Sequence, residues 1–372
     1  MESAPPVHLR TVTGVQRLNT KVYTIKNPAS PGEEDVRMIE ECGEIIKRGG
    51  LVAFPTETVY GLGGDALNEE SSAKIYAAKG RPSDNPLIVH ICNIEALAEI
   101  AEDIPEEAYI LAKEFWPGPL TMILKSSGRV PHTTTGGLDT VAIRMPSDKV
   151  ALEFIKASGG FIAAPSANIS GRPSPTKARY VMEDMDGRID AVIDGGDNAI
   201  GLESTIIDLT DGSMQVLRPG YITNEMLGKA LGRDIETDPA LLDPSCKERP
   251  KAPGMRYRHY APKGEVHPVK GDPDKVLEHI CRELIKAKEA GKKTGVFCSK
   301  DNADKYDADV IRYAGALNDA ETAAHHFYSA LRDMDDENVD IIFVENFTER
   351  GFGEAFWNRL LKSAGSEWEG AK

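Results

Sequence analysis

The sequence predicts an α/β protein in two units. Residues 32–225 read as a mixed sheet with helices and an open cleft, and residues 264–372 as a smaller, Rossmann-like α/β domain. Three observations carry this expectation. Short apolar runs alternate with stretches of helical periodicity along most of the chain, as sheets covered by helices require. Between the two units, Asp234 to Lys263 holds Pro239, Pro244, Pro250, Pro253 and Pro262 and little periodicity, so 226–263 reads as a linker. Finally, the apolar run Leu51–Phe54 breaks at Pro55 into Thr56-Glu57-Thr58 and then Gly61-Leu62-Gly63-Gly64. A strand ending there presents hydroxyls and a carboxylate to a cleft, and the glycines would let backbone approach a ligand.

The elements follow in order from local chemistry. Val36, Ile39, Cys42, Ile45 and Ile46 recur at helical spacing and Gly49-Gly50 stops them, which predicts a helix over 36–48 before the strand Leu51–Phe54. Asn68 is placed to cap a second helix reaching about Ala78, with Gly80 as its terminator. Leu87–Ile91 reads as a strand, then 93–101 and 106–115 as helices. Further strands are expected at 120–124, 141–144, 161–164, 191–193, 204–209 and 214–217, with a helix over 148–157. Asp194-Gly195-Gly196-Asp197 is turn chemistry, expected to join two strands. Beyond the linker, strands at 265–269, 294–298 and 340–344 alternate with helices near 273–290, 320–335 and 354–362, which predicts a small parallel sheet.

Composition narrows the function classes. Hydrophobic residues make up 41% of the chain and charged residues 28%, a soluble globular profile. No apolar run approaches the roughly 20 residues a membrane helix needs. The N-terminus Met1-Glu2-Ser3-Ala4-Pro5-Pro6 has neither a basic start nor an apolar core, so a cytoplasmic protein without membrane contact is expected. Cys42, Cys92, Cys246, Cys281 and Cys298 lack zinc-ligand spacing and are odd in number, which argues against a protein metal site and a disulfide framework. A net charge of −15 opposes phosphate-led binding of nucleic acid. Against that background Lys79, Arg81, Arg144, Arg172 and Arg218 suit a small anionic ligand.

Each motif has an ordinary reading beside the functional one. Gly61-Leu62-Gly63-Gly64-Asp65-Ala66 fits a dinucleotide pattern, but Pro55 to Tyr60 intervene between it and its strand, so a Rossmann site is rejected there. Lys79-Gly80-Arg81 ends a helix, where cations favour the dipole and glycine caps. Yet Pro82-Ser83-Asp84-Asn85-Pro86 then holds the chain non-helical and fixes both cations near one spot. Arg144 closes the strand 141–144, and its planar fork matches a carboxylate. His90, at a strand end, is by itself an ordinary structural histidine.

Taken together and in this order, Leu51–Asp65, Lys79-Gly80-Arg81-Pro82, Asn85–His90 and Ala164-Pro165-Ser166-Ala167-Asn168 resemble the YrdC-like threonylcarbamoyl-AMP synthases. The linker segment Pro253–Pro262 resembles that of the two-domain members. The resemblance implies a twisted mixed sheet with an open cleft and a synthase that makes threonylcarbamoyl-AMP and pyrophosphate from L-threonine, bicarbonate and ATP. It implies a Lys-x-Arg with Ser-x-Asn on the nucleotide phosphates, hence Lys79 and Arg81 as catalytic. ATP contacts are implied for these two and for Asn85, Thr140, Ser166, Asn168, Ser174, Arg218 and Tyr257. Threonine contacts are implied for Thr58, His90, Arg144, Ala164 and Ser204. Magnesium is expected with ATP and not in a protein cage. The product would pass to the machinery that transfers threonylcarbamoyl to tRNA, and a monomer is expected. Two other classes were weighed: a tRNA or double-stranded RNA-binding module, opposed by the charge, and the carbamoyltransferase of hydrogenase maturation, opposed by the lack of Cys-x-x-Cys.

Overall fold

The computed structural model describes residues 18–239, 260–347, 351–365 and 369–370. Tyr257, with the expectation attached to it, lies outside the described residues. The first unit is built on an eleven-stranded mixed sheet. In spatial order its strands are Lys21–Thr24, Ala191–Asp194, Val52–Phe54, Gly61–Asp65, Ile162–Ala164, Ile88–His90, Thr140–Arg144, Leu120–Lys125, Thr205–Asp208, Gln215–Arg218 and Glu236–Thr237. The sheet therefore takes in strands on both sides of the 32–225 bounds read from sequence.

Side chains alternate across the sheet as the two-residue period of a strand demands. Leu51, Ala53, Leu62, Val89 and Ile143 enter one core with Ile75 of helix Glu69–Lys79 and Leu111 of helix Glu106–Phe115. Val52, Phe54, Ile162 and Ile193 enter the other with Ile39 and Ile46 of helix Glu33–Lys47 and Phe154 of helix Lys149–Ala157. Both faces are covered, which leaves the strand ends to form the cleft.

Several local expectations are corrected. Gly61–Asp65 is a central strand, paired antiparallel with Val52–Phe54 and Ile162–Ala164, so the loop after Phe54 spans only Pro55–Tyr60. Its glycines serve packing: a Cβ on Gly63 would lie 3.0 Å from Ile162 Cγ2, and one on Gly64 3.0 Å from Ile75 Cδ1. The helix expected over 93–101 is a single turn, Leu97–Ile100. Helices Ala178–Met185 and Asn224–Leu231 were not foreseen. The Asp194–Asp197 turn does not close a hairpin: strands Ala191–Asp194 and Thr205–Asp208 are far apart in the sheet. Gly195 instead sits where a Cβ would meet Pro55 Cγ at 2.6 Å.

The second unit is a five-stranded, all-parallel sheet in the order Val310–Ala314, Thr294–Ser299, Ile341–Val344, Glu265–Lys270, Glu369–Gly370. The first and fourth strands are thus exchanged relative to a dinucleotide-binding fold. Helix Pro273–Glu289 covers one face through Val276, Ile280 and Leu284, which meet Val296 and Cys298. Helices Ala320–Asp336 and Gly353–Ala364 cover the other through Phe327 and Phe356, which meet Phe297. That second core continues into the first unit, because Val59, Leu202 and Tyr260 belong to it. Among the described residues no helix is long and apolar enough to cross a membrane.

Candidate active site

The cleft opens where the central strands of the large sheet end. Helix Glu69–Lys79 brings in the first cation. Asn68 Oδ1 accepts from the backbone N–H of Glu70 at 2.9 Å, and Gly80 turns the chain at φ +62°. Lys79 is 2% exposed, and its Nζ donates to the carbonyls of Ser166 at 2.6 Å and Asn168 at 2.5 Å. Ser166 Oγ in turn donates to Asn168 Oδ1 at 2.5 Å. Lysine and Ser-x-Asn thus form one unit across two distant segments. Arg81 is braced by Asn85 Oδ1 at 2.6 Å and Pro86 O at 3.0 Å.

The opposite wall holds Thr58, His90 and Arg144. Thr58 is fixed by Thr56, whose Oγ1 lies 2.9 Å from Thr58 Oγ1 and accepts from its N–H at 3.1 Å. Arg144 Nη1 donates to Thr58 Oγ1 at 3.0 Å. Arg144 Nη2 is 2.8 Å from Glu57 Oε2, yet the pair is not aligned as a hydrogen bond. Among the described residues Arg144 Nε and Nη2 and both Glu57 oxygens are buried without a hydrogen-bond partner. A buried donor left in that condition costs about 1–3 kcal/mol, so Arg144 could take a further acceptor from a ligand. Val59, Ile88 and Ala164 supply apolar wall beside it.

Burial shapes the electrostatics. It drives the Lys79 ammonium well below its usual pKa, with Arg81 adding to the effect. It lowers Arg81 and Arg218 to about 10. His90 falls to about 3 through burial and then the neighbouring Arg144, so its ring is neutral and one nitrogen remains an acceptor. Its Nδ1 lies 3.1 Å from Ile88 O.

The cleft lining brings together Thr58, Lys79, Arg81, His90, Arg144, Ala164, Ser166, Asn168 and Arg218 from the sequence-derived set. Asn85, Ser174 and Ser204 stand one layer behind. Asn85 braces Arg81, Ser174 Oγ donates to Glu203 Oε1 at 2.6 Å, and Arg218 Nη2 donates to Ser204 Oγ at 3.0 Å. Thr140 stands apart: it is half-buried at the far end of the Arg144 strand, opposite Lys125. Sequence reasoning missed Glu203 and Tyr260 as cleft residues. Tyr260 lay inside the quoted linker motif, whereas Glu203 carried no local signal.

Among the described residues no group of three or more His, Cys, Asp or Glu is placed to hold a metal ion. Glu203 and Glu57 are each engaged by an arginine. Committed in this way, these two carboxylates do not suit the role of protein ligands to magnesium.

Comparison with known proteins identifies the family. A family model described as "Telomere recombination" matches residues 44–220, and one described as "Threonylcarbamoyl-AMP synthase, C-terminal domain" matches 222–365. The threonylcarbamoyl-AMP synthase of Pyrococcus abyssi is 52% identical over 86% of this chain and 92% of its own length. That of Bacillus subtilis is 46% identical over 88% and 93%. The solved structure of P. abyssi Sua5 complexed with L-threonine superposes with a TM-score of 0.89 at 47% identity, over 95% of this chain and all of that one. Two matched domains, arranged around one cleft, place this chain in the two-domain threonylcarbamoyl-AMP synthase family.

Proposed function

We propose that the chain joins L-threonine, bicarbonate and ATP into threonylcarbamoyl-AMP and pyrophosphate, acting as a nucleotidyltransferase in the cytoplasm. The observation that carries this reading is a single cleft with two chemically distinct halves. On one side buried Lys79, Arg81 and Arg218 line the cleft with the Ser166–Asn168 unit, which Lys79 holds. On the other a hydroxyl, a neutral imidazole and an under-bonded guanidinium stand beside apolar wall. The first half suits a triphosphate and the second an amino acid with a hydroxyl and a methyl group.

In this reading Arg144 holds the threonine carboxylate, and Thr58 and His90 hold its hydroxyl. The threonine amine adds to carbon dioxide and loses a proton, or condenses with bicarbonate and loses water, to give a carbamate, whose oxygen attacks the α-phosphorus and expels pyrophosphate. The carbamate is already anionic, so no protein nucleophile is needed; positioning and charge stabilisation carry the step. Lys79 and Arg81 stabilise charge on the transferring phosphate. Magnesium bound with the triphosphate would neutralise part of its charge. The adenylate would then pass to the tRNA threonylcarbamoyl-transfer machinery. The test is pyrophosphate release from ATP, expected only when threonine and bicarbonate are both present. ATP turnover indifferent to threonine would refute the reading.

A further inference from the structure

The two units meet through charges that are wholly buried. Arg359, on helix Gly353–Ala364, is 0% exposed and donates through Nε to Glu203 Oε2 at 2.9 Å. Tyr328, on helix Ala320–Asp336, donates its hydroxyl to the same carboxylate at 3.1 Å. The other oxygen of Glu203 accepts from Ser174 Oγ at 2.6 Å. Glu203 itself lines the cleft, directly before Ser204 and the strand Thr205–Asp208. A second arginine of the C-terminal unit, Arg332, is also 0% exposed. It donates to Pro173 O at 2.6 Å and pairs with Asp184 at 2.8 Å. The C-terminal unit thus grips the chain at Pro173 and at Glu203, each adjacent to a residue expected to contact a substrate.

A carboxylate is an odd lining for a cleft that takes a triphosphate. Left uncompensated, it would repel the phosphates and would be costly to bury. Arg359 supplies the larger compensating charge from the other unit, and Arg218 of the first unit adds to it. The carboxylate also fixes Ser174 by direction, because a carboxylate can only accept. The Ser174 proton is therefore committed to Glu203, which fixes the hydroxyl one layer behind the cleft wall.

We infer that the C-terminal unit completes the nucleotide site, with Arg359 and Tyr328 acting through the carboxylate of Glu203 to hold Ser174 and keep the cleft fit for a triphosphate. Glu203 and Arg359 are positioning residues in this scheme. The inference rests on the nucleotide-binding reading above.

The test is calorimetric binding of ATP and, separately, of L-threonine to the full chain and to R359M, R359K, E203Q and E203Q/R359M. R359M, which strips the carboxylate of its larger compensating charge and leaves it to Arg218, is expected to bind ATP at least tenfold more weakly than the parent, and R359K less weakly than R359M. E203Q/R359M, which removes the buried charge and its partner together but also the carboxylate that holds Ser174, is expected to bind ATP more tightly than R359M and more weakly than the parent. E203Q is expected to bind ATP more tightly than R359M. Threonine affinity should stay within threefold throughout. ATP affinity in R359M within twofold of the parent, or a double variant as weak as R359M, overturns the inference. If R359M does not fold, E203Q/R359M carries the test, and ATP affinity within twofold of the parent there overturns the inference. A parent protein that binds threonine but no ATP overturns the nucleotide-binding reading itself, and the inference with it.

Discussion

Replacing Lys79 with methionine separates the chemistry of the cleft from its architecture. The side chain keeps its volume and loses its charge. Two carbonyls, Ser166 O and Asn168 O, lose a donor. At about 1 kcal/mol net per hydrogen bond, that loss is roughly 2 kcal/mol. Opposing it is the burial of the ammonium, which pushes the Lys79 pKa well down and which methionine abolishes. The two terms carry opposite signs, so the net stability change should be under about 2 kcal/mol, a shift of a few degrees in Tm. Catalysis has no such offset. Losing one pre-organised donor to a developing charge costs about 2.7–4 kcal/mol, or about 100- to 1000-fold in turnover. A coupled assay of pyrophosphate release, beside a thermal scan, reads both quantities. Turnover within threefold of the parent would sink the phosphate-site assignment, and a collapse in Tm matching the loss would make Lys79 a structural residue instead.

Other outcomes follow from the same geometry. R144M should abolish threonine binding and also lower stability by about 3–5 kcal/mol, because it strands the buried Glu57 carboxylate. E57Q/R144M should recover the stability but not the binding, as thermal unfolding and calorimetry will show. His90, held at about 3 against about 6.5 in the unfolded chain, leaves the folded state binding fewer protons, so stability is full above pH 6.5 and falls as pH drops towards 3. Between pH 7 and pH 5 the parent should therefore lose about 2 kcal/mol more than H90Q in denaturant unfolding. Serine should be a poor substrate and valine a worse one in pyrophosphate release. One methyl is worth only about 1–3 kcal/mol, whereas a polar pocket rejects an isostere that leaves it unpaired. Valine outperforming serine would contradict the assignment of Thr58 and His90 to the hydroxyl.

What could be read from sequence was what local chemistry determines. Asn68 and Gly80 bracket helix Glu69–Lys79 with signals that act within a turn, and the structure uses both. The parallel C-terminal sheet followed from alternating periodicity. The strand Gly61–Asp65 was hidden because glycine weakens a strand, while close packing against Ile162 and Ile75 requires it there. Helix Asn224–Leu231 carried its cap, Thr223, and its αL terminator, Gly232, yet was lost when the domain boundary was set at 225. The cations of the cleft were found because they lie inside short motifs. Glu203 was not: its partner Arg359 is 156 positions away, and nothing local marks either residue. Pairings at that separation belong to the tertiary fold alone.

The central claim is that the new bond joins a carbamate oxygen to the α-phosphorus. Mass spectrometry of the adenylate formed from ATP, L-threonine and carbon-13 bicarbonate tests this most directly. An adenylate carrying one bicarbonate-derived carbon, formed in step with pyrophosphate, is the expected result. An unlabelled threonyl adenylate would mean that the amino-acid carboxylate is the group activated, and would contradict the proposed chemistry.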